Sequence, residues 1–289
     1  MELYYGWKDD DLEISLEEFA LAYLFNKTGR LQKDTPFIEE VLKSDLVLDF
    51  SGDIWGDNAD FLGKDRFLVG LLKDRVAQLL GKKTAMIAGS PGPFKNLNTL
   101  AFAQEVFRSF DLVTNRESVS IRLLELGGFD VSKVISLACP AFLFEPAPIL
   151  EIKNIVDEIG LNKKDKPAFG FIICGWNFLQ GPFDKWPRPD EDYVPFAEAV
   201  EFITENIDAR VYLMSHSNGF PIPPAPFSLL HGRDYQVVKQ LEVVLKKRGI
   251  SKDFCVLENV LNTWQTKAII SRFDVLVSGR VHGAVAGLS

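Results

Sequence analysis

From residue 45 onward, short runs of β-branched and apolar residues alternate with longer stretches of helical periodicity, and that alternation leaves few folds open. Strands are predicted near 45–50 (DLVLDF), 84–88 (TAMIA), 111–115 (DLVTN) and 133–137, with helices near 62–80, 97–109 and 117–126 between them. This is the pattern of βαβ units feeding a parallel sheet. After the proline-rich stretch 140–148 and a bridging helix near 150–160 the alternation restarts. Strands are expected near 168–174, 209–214, 254–257 and 274–278, and helices near 192–206, 233–248, 264–272 and from about Val281. The restart predicts an α/β protein of two Rossmann-like domains, residues 1–148 and 149–289, facing across a cleft. Ligands of such sheets bind outside the carboxyl ends of the strands. The last helix reaches Ser289 without a cap or a closing strand, so the C-terminal domain reads as incomplete. A helix near 15–26 stands where a Gly-rich opening strand would be usual, so the N-terminal domain is expected to lack its first strand.

Partners are bounded by charge. The 289 residues carry a formal net charge of −8 and no Lys/Arg block, which argues against nucleic acid or an anionic membrane surface as the main partner. An anionic substrate must then be held by local cations. No stretch of about 18 consecutive apolar residues offers a membrane span, and the start MELYYGWKDDDLE lacks the basic-then-apolar order of a signal peptide. Three distant cysteines, Cys139, Cys174 and Cys255, have no metal spacing and suit a reducing cytoplasm.

Polar and Gly-rich clusters follow the predicted strands at the same end each time. They are Ser51, Gly52 and Asp53; Gly89, Ser90 and Gly92; Arg116, Glu117 and Ser118; Gly175, Trp176 and Asn177; Ser215 and His216; and Ser278, Gly279, Arg280 and His282. The segment SGRVHGAVAG at 278–287 sets Arg280 and His282 in the turn that enters a helix. The free N–H groups and positive end of that helix add to Arg280, an arrangement suited to a phosphate or carboxylate. An imidazole beside the anion is placed to donate a proton. The plainer alternative is that Arg280 pairs with a nearby carboxylate while His282 caps the turn. Glu117 and Ser118 suit a first helical turn without any ligand. His231 reads as a structural loop residue, Trp176 and Trp186 as packing or a platform for a sugar ring, and Cys139 as a buried thiol. The loops 175–191 and 215–232 are long enough to carry function.

SGRVHGAVAG resembles the carboxyl-terminal signature of the polysaccharide pyruvyl transferases, and three more blocks agree in order and spacing. SGDIWGDN at 51–58 is similar to that family's Ser-Gly-Gly block, IAGSPGPF at 87–94 to its Gly-x-x-x-Gly-Pro-Phe block, and VTNRESVSIRLLELG at 113–127 to its Arg-Glu-Ser block. Two positions depart from the pattern: Asp53 stands in place of a second Gly, and Cys139 precedes Pro-Ala-Phe where an Asp is usual.

The resemblance implies a GT-B-like architecture and transfer of a pyruvyl group from phosphoenolpyruvate to sugar hydroxyls, forming a ketal, with neither metal nor other cofactor. Arg280 and Arg116, with Gly279, Gly283, Gly89 and Ser90, are then expected to hold the donor. His282 is the expected general acid, and Asp53 or His216 the base for the acceptor, a sugar or glycan that is free or lipid-linked. Two alternatives remain open at this level: a sugar-nucleotide-dependent glycosyltransferase of the same fold, and a family member that binds glycan without turnover.

Overall fold

The computed structural model describes residues 10–62, 65–178, 186–221 and 226–289, with residues 60–62 and 176 described by their backbone alone. The chain divides into two compact units, Met1–Cys139 and Pro140–Ser289.

The first unit opens with helices α1 (Asp11–Thr28) and α2 (Pro36–Lys43) and continues β1 (Leu46–Asp49), α3 (Arg66–Leu79), β2 (Lys83–Gly89), α4 (Leu97–Ser109), β3 (Leu112–Asn115), α5 (Ser118–Leu126) and β4 (Val134–Ser136). The strands lie in the order β1-β2-β3-β4, all parallel. Local chemistry sets several boundaries. Thr35 caps α2 by accepting from the Ile38 N–H at 3.3 Å, with Pro36 at the first helical position, and Gly29 ends α1 in the left-handed region at φ 68°. Helix α2 was not anticipated, its eight residues being too few to set a period against the neighbouring strand. Helix α3 starts at Arg66 rather than near 62, because Asp57–Leu62 wind as a 3₁₀ helix.

Trp55 anchors this unit's core, packing among Phe67, Phe107 and Phe129, and its indole N–H donates to Asp74 Oδ2 at 3.2 Å. Asp74 on α3 and Asp49 at the end of β1 are both buried, and Asp49 Oδ2 has no hydrogen-bond donor. Burial first, and the charge of Asp49 second, raise the Asp74 carboxyl well above its usual range. A carboxyl raised by folding favours the fold at pH below its unfolded value of about 3.9, and that contribution is lost as pH climbs through the folded value. Asp74→Asn is therefore expected to stabilise the protein at neutral pH by about 1–2 kcal/mol, since an amide donates to Asp49 and still accepts from Trp55. Melting curves at pH 5 and pH 8 check this: the gain should widen at pH 8, and a variant less stable than wild type there refutes it.

The second unit contains α6 (Ile149–Glu158), β5 (Ala168–Ile172), α7 (Val194–Asn206), β6 (Arg210–Met214), a two-residue antiparallel ladder of β7 (Asn218–Gly219) with β8 (Leu230–His231), α8 (Arg233–Lys247), β9 (Phe254–Val256), α9 (Thr263–Ile270), β10 (Val275–Ser278) and α10 (Val281–Leu288). Its main sheet is parallel in the order β10-β5-β6-β9. The period of two along the central strands divides the interior. Phe169, Phe171, Val211 and Leu213 face Val200 of α7 and Leu241 of α8, whereas Ala168, Ile172, Tyr212 and Met214 face Ile152 of α6 and Ile269 of α9. The near-continuous apolar runs in β5 and β6 follow from burial on both faces.

One expectation is corrected. Cys139 is half-buried rather than buried: it follows the exposed Leu137 and Ala138 and precedes the 3₁₀ turn Pro140–Leu143, where no core closes over the thiol. Residues 179–185 and 222–225 of the two long loops, and the Trp176 side chain, lie outside the described residues.

Candidate functional site

In the second unit the carboxyl ends of β10, β5 and β6 converge on the first turn of α10. The chain leaves β10 at Ser278, and the Gly279 N–H donates to the Ile172 carbonyl at 2.8 Å. A Cβ on Gly279 would lie 2.0 Å from Asn177 Oδ1, so only glycine lets this turn pass the loop after β5. Arg280 is the N-cap of α10, and His282 is its second residue. Gly283 gives room of the same kind: a Cβ there would stand 2.5 Å from Ser278 Oγ and 3.3 Å from His216 Cδ2. The imidazole of His216, carried past the end of β6, therefore rests against the opening turn of α10.

Beneath these groups lies Asp234, in the first turn of α8 and 1% exposed. Arg280 grips it with two hydrogen bonds, Nε to Oδ2 at 2.9 Å and Nη2 to Oδ1 at 2.6 Å, and the Ser217 N–H donates to Oδ2 at 3.3 Å. A carboxylate in the first turn of a helix is favoured by the helix dipole, and a two-pronged guanidinium pair fixes orientation as well as charge. Arg280 is thus a charged, oriented donor with a side chain still 30% exposed.

Burial pushes His216 down to about 4; Asp234 works against the shift, while Arg280 and His282 add to it. At neutral pH this imidazole is uncharged and able to accept a proton or a hydrogen bond. An imidazole lowered by folding contributes stability above its unfolded value of about 6.5, and loses it as pH falls from there through about 4. His216→Asn should accordingly shrink the drop in melting temperature between pH 7 and pH 4.5. An unchanged drop would place the acid sensitivity elsewhere.

His216 and His282 both line a cavity of about 690 Å³ within this unit. Its other walls are Phe144 and Trp264, with ring centroids 5.0 Å apart, Phe220 and Phe227 at 5.6 Å, and the polar Asn218, Asn262, Thr263 and Lys267. Asn262 caps α9 and receives the Gln265 N–H at 2.9 Å. His231 lies on β8 with its ring stacked on Tyr235 at 3.5 Å, a packing position. Trp186 is exposed at the surface.

The first unit gathers the other expected residues. Arg116 Nε donates to Ser90 Oγ at 2.7 Å, the Arg116 N–H to the Gly89 carbonyl at 3.1 Å, and the Ser90 N–H to the Gly52 carbonyl at 3.1 Å. A Cβ on Gly52, which has φ 62°, would come within 3.4 Å of Arg116 Nη2. Gly52, Gly89, Ser90 and Arg116 thus form one cluster over the carboxyl ends of β1 to β3, with Asp53 exposed in the 3₁₀ turn beside it. Glu117 caps α5 through the Ser120 N–H at 3.0 Å.

Two residues of the second unit escaped the sequence reading, Asp234 and Lys267. For Asp234 the available signal was an acidic residue at the start of the helix that follows a long loop. Lys267 carried none, being one lysine in an apolar helix. Among the described residues, no group of three or more His, Cys, Asp or Glu is placed to hold a metal ion. No helix of the described residues is long and apolar enough to cross a membrane.

The family described as polysaccharide pyruvyl transferase matches residues 4–289. None of the curated proteins matches the chain. Among solved structures, a glycosyltransferase from Rickettsia africae aligns with a TM-score of 0.52 at 10% identity, over 99% of this chain and 63% of that one. HepE of Anabaena in complex with UDP aligns with a TM-score of 0.47 at 12% identity, over 86% of this chain and 60% of that one. The chain spans less than two thirds of the length of either. The first likeness shows a shared fold with a glycosyltransferase and nothing finer.

Proposed function

The chain belongs to the polysaccharide pyruvyl transferase family, and from that premise we propose that it transfers the pyruvyl group of phosphoenolpyruvate to two hydroxyls of a sugar, in a polysaccharide or glycan precursor, releasing phosphate and leaving a ketal. The observation that carries the reading is that His216 and His282 line one aromatic-walled cavity, while Arg280, the N-cap of the helix that carries His282, is oriented by Asp234.

The chemistry asks for three things, and these groups supply them. C3 of the donor takes a proton while C2 becomes cationic; His282 is the proton donor. Carboxylate and phosphate need fixed N–H groups, and Arg280 with the opening turn of α10 provides them. A sugar hydroxyl then attacks C2 and loses its proton to a base, for which the uncharged His216 is suited. A second hydroxyl displaces phosphate, and its proton leaves with that phosphate. The proton that His216 takes from the first hydroxyl replaces the one His282 gives to the new methyl group, and the second hydroxyl's proton leaves on phosphate, so the step balances. Roles for Asp53 and Arg116 rest on the family resemblance, and Asp53→Asn and Arg116→Ala assayed for transfer test each.

The deciding experiment follows phosphate release from phosphoenolpyruvate by ³¹P NMR across a panel of sugar and glycan acceptors, with mass spectrometry of the acceptor. Ketal formation supports the proposal. Consumption of UDP-glucose with glycosylated product, and none of phosphoenolpyruvate, would instead establish a sugar-nucleotide glycosyltransferase.

A further inference from the structure

Lys267 lines the cavity shared by His216 and His282, yet it is only 6% exposed. Its Nζ donates to the Phe144 carbonyl, a neutral partner, and no carboxylate among the described residues forms an ion pair with it. A buried ammonium facing one carbonyl is poorly compensated, whereas most buried charges are paired. The charge balance around the cavity points the same way. Arg280 is matched by Asp234, and His216 is held neutral, which leaves the wall with a positive group that no ion pair among the described residues offsets.

We infer that Lys267 receives an anionic group of the substrate, a carboxylate or a phosphate, within this cavity. The cavity is in the size range that takes ligands larger than a three-carbon phosphate, so an anion at Lys267 leaves the aromatic walls for the sugar. The identity of the anion, though not the site, rests on the transferase reading above. The competing account is that Lys267 only ties α9 to the turn Pro140–Leu143 through Phe144.

Calorimetric titration of the full chain with phosphoenolpyruvate, inorganic phosphate and pyruvate in turn tests this. Lys267→Met removes both the charge and the bond to Phe144. Lys267→Gln removes the charge and keeps an N–H for that carbonyl. Both variants are expected to bind phosphoenolpyruvate roughly 10–100-fold more weakly than wild type. Weakening confined to phosphate assigns the phosphoryl group to Lys267, and weakening confined to pyruvate assigns the carboxylate. Wild-type affinity for all three in Lys267→Gln overturns the inference and leaves the structural tie. Should neither variant fold, lysine ¹³Cε resonances of the labelled wild-type chain decide: a saturable shift of the Lys267 signal with phosphate or phosphoenolpyruvate supports the site, and an unmoved signal overturns it. The two proposals fail separately. Lys267-dependent binding of phosphate without transfer to any acceptor sinks the transferase reading alone, whereas transfer by Lys267→Gln at wild-type KM sinks the anion site alone.

Discussion

His282→Gln is expected to slow pyruvyl transfer by roughly 10²–10⁴-fold while leaving donor affinity nearly intact. His282 is the second residue of α10 and lines the cavity beside His216. Because His216 is held uncharged at neutral pH, the acid's role in this pair of cavity-lining imidazoles is assigned to His282. Glutamine keeps a hydrogen-bond donor of similar reach but has no proton to give at neutral pH. A general acid is needed only as C3 is protonated, so its loss falls on the transition state rather than on binding. Single-turnover rates with saturating phosphoenolpyruvate report the first quantity and calorimetry the second. A variant that transfers at the wild-type rate, or one that loses affinity in proportion to rate, removes His282 from the acid's role.

Most of this architecture was legible because it rests on short-range rules. The double-sided burial of β5 and β6 writes itself as apolar runs, and the caps at Asn262 and Glu117 are local. Arg280 and His282 stood out because a strand, a glycine turn and a helix start are encoded within ten residues. What the sequence hid depends on residues far apart in the chain. The partner of Arg280 lies 46 positions earlier in α8, and no local pattern links the two. The lowered proton affinity of His216 comes from burial first, a property of the assembled unit. Lys267 looks like an ordinary helical lysine until the Phe144 carbonyl, 123 positions away, meets its ammonium. Cys139 misled for the reverse reason: its apolar neighbours read as core, whereas the segment after β4 runs along the surface of its own unit.

Arg280→Ala is expected to do two things at once, and a second substitution should separate them. The family resemblance implies that this arginine holds the donor, so its loss would appear as weakened binding. The pair with Asp234 adds a cost to folding, because truncation leaves a carboxylate that is 1% exposed with, among the described residues, the Ser217 N–H as its remaining hydrogen-bond donor. Removing one side of a buried pair typically destabilises by about 3–5 kcal/mol. The reverse change, Asp234→Ala, should cost less, since the Arg280 side chain is 30% exposed and water can reach it. The double variant Arg280→Ala with Asp234→Asn removes the orphaned charge, so urea denaturation should show most of the lost stability restored. Donor affinity should not recover with it, because the guanidinium is still missing. The expected result is a coupling energy of about 1–3 kcal/mol in stability and almost none in phosphoenolpyruvate binding. If the double variant regains donor affinity along with stability, Arg280 serves the fold alone, and the anion must be held by the opening turn of α10 and by Lys267.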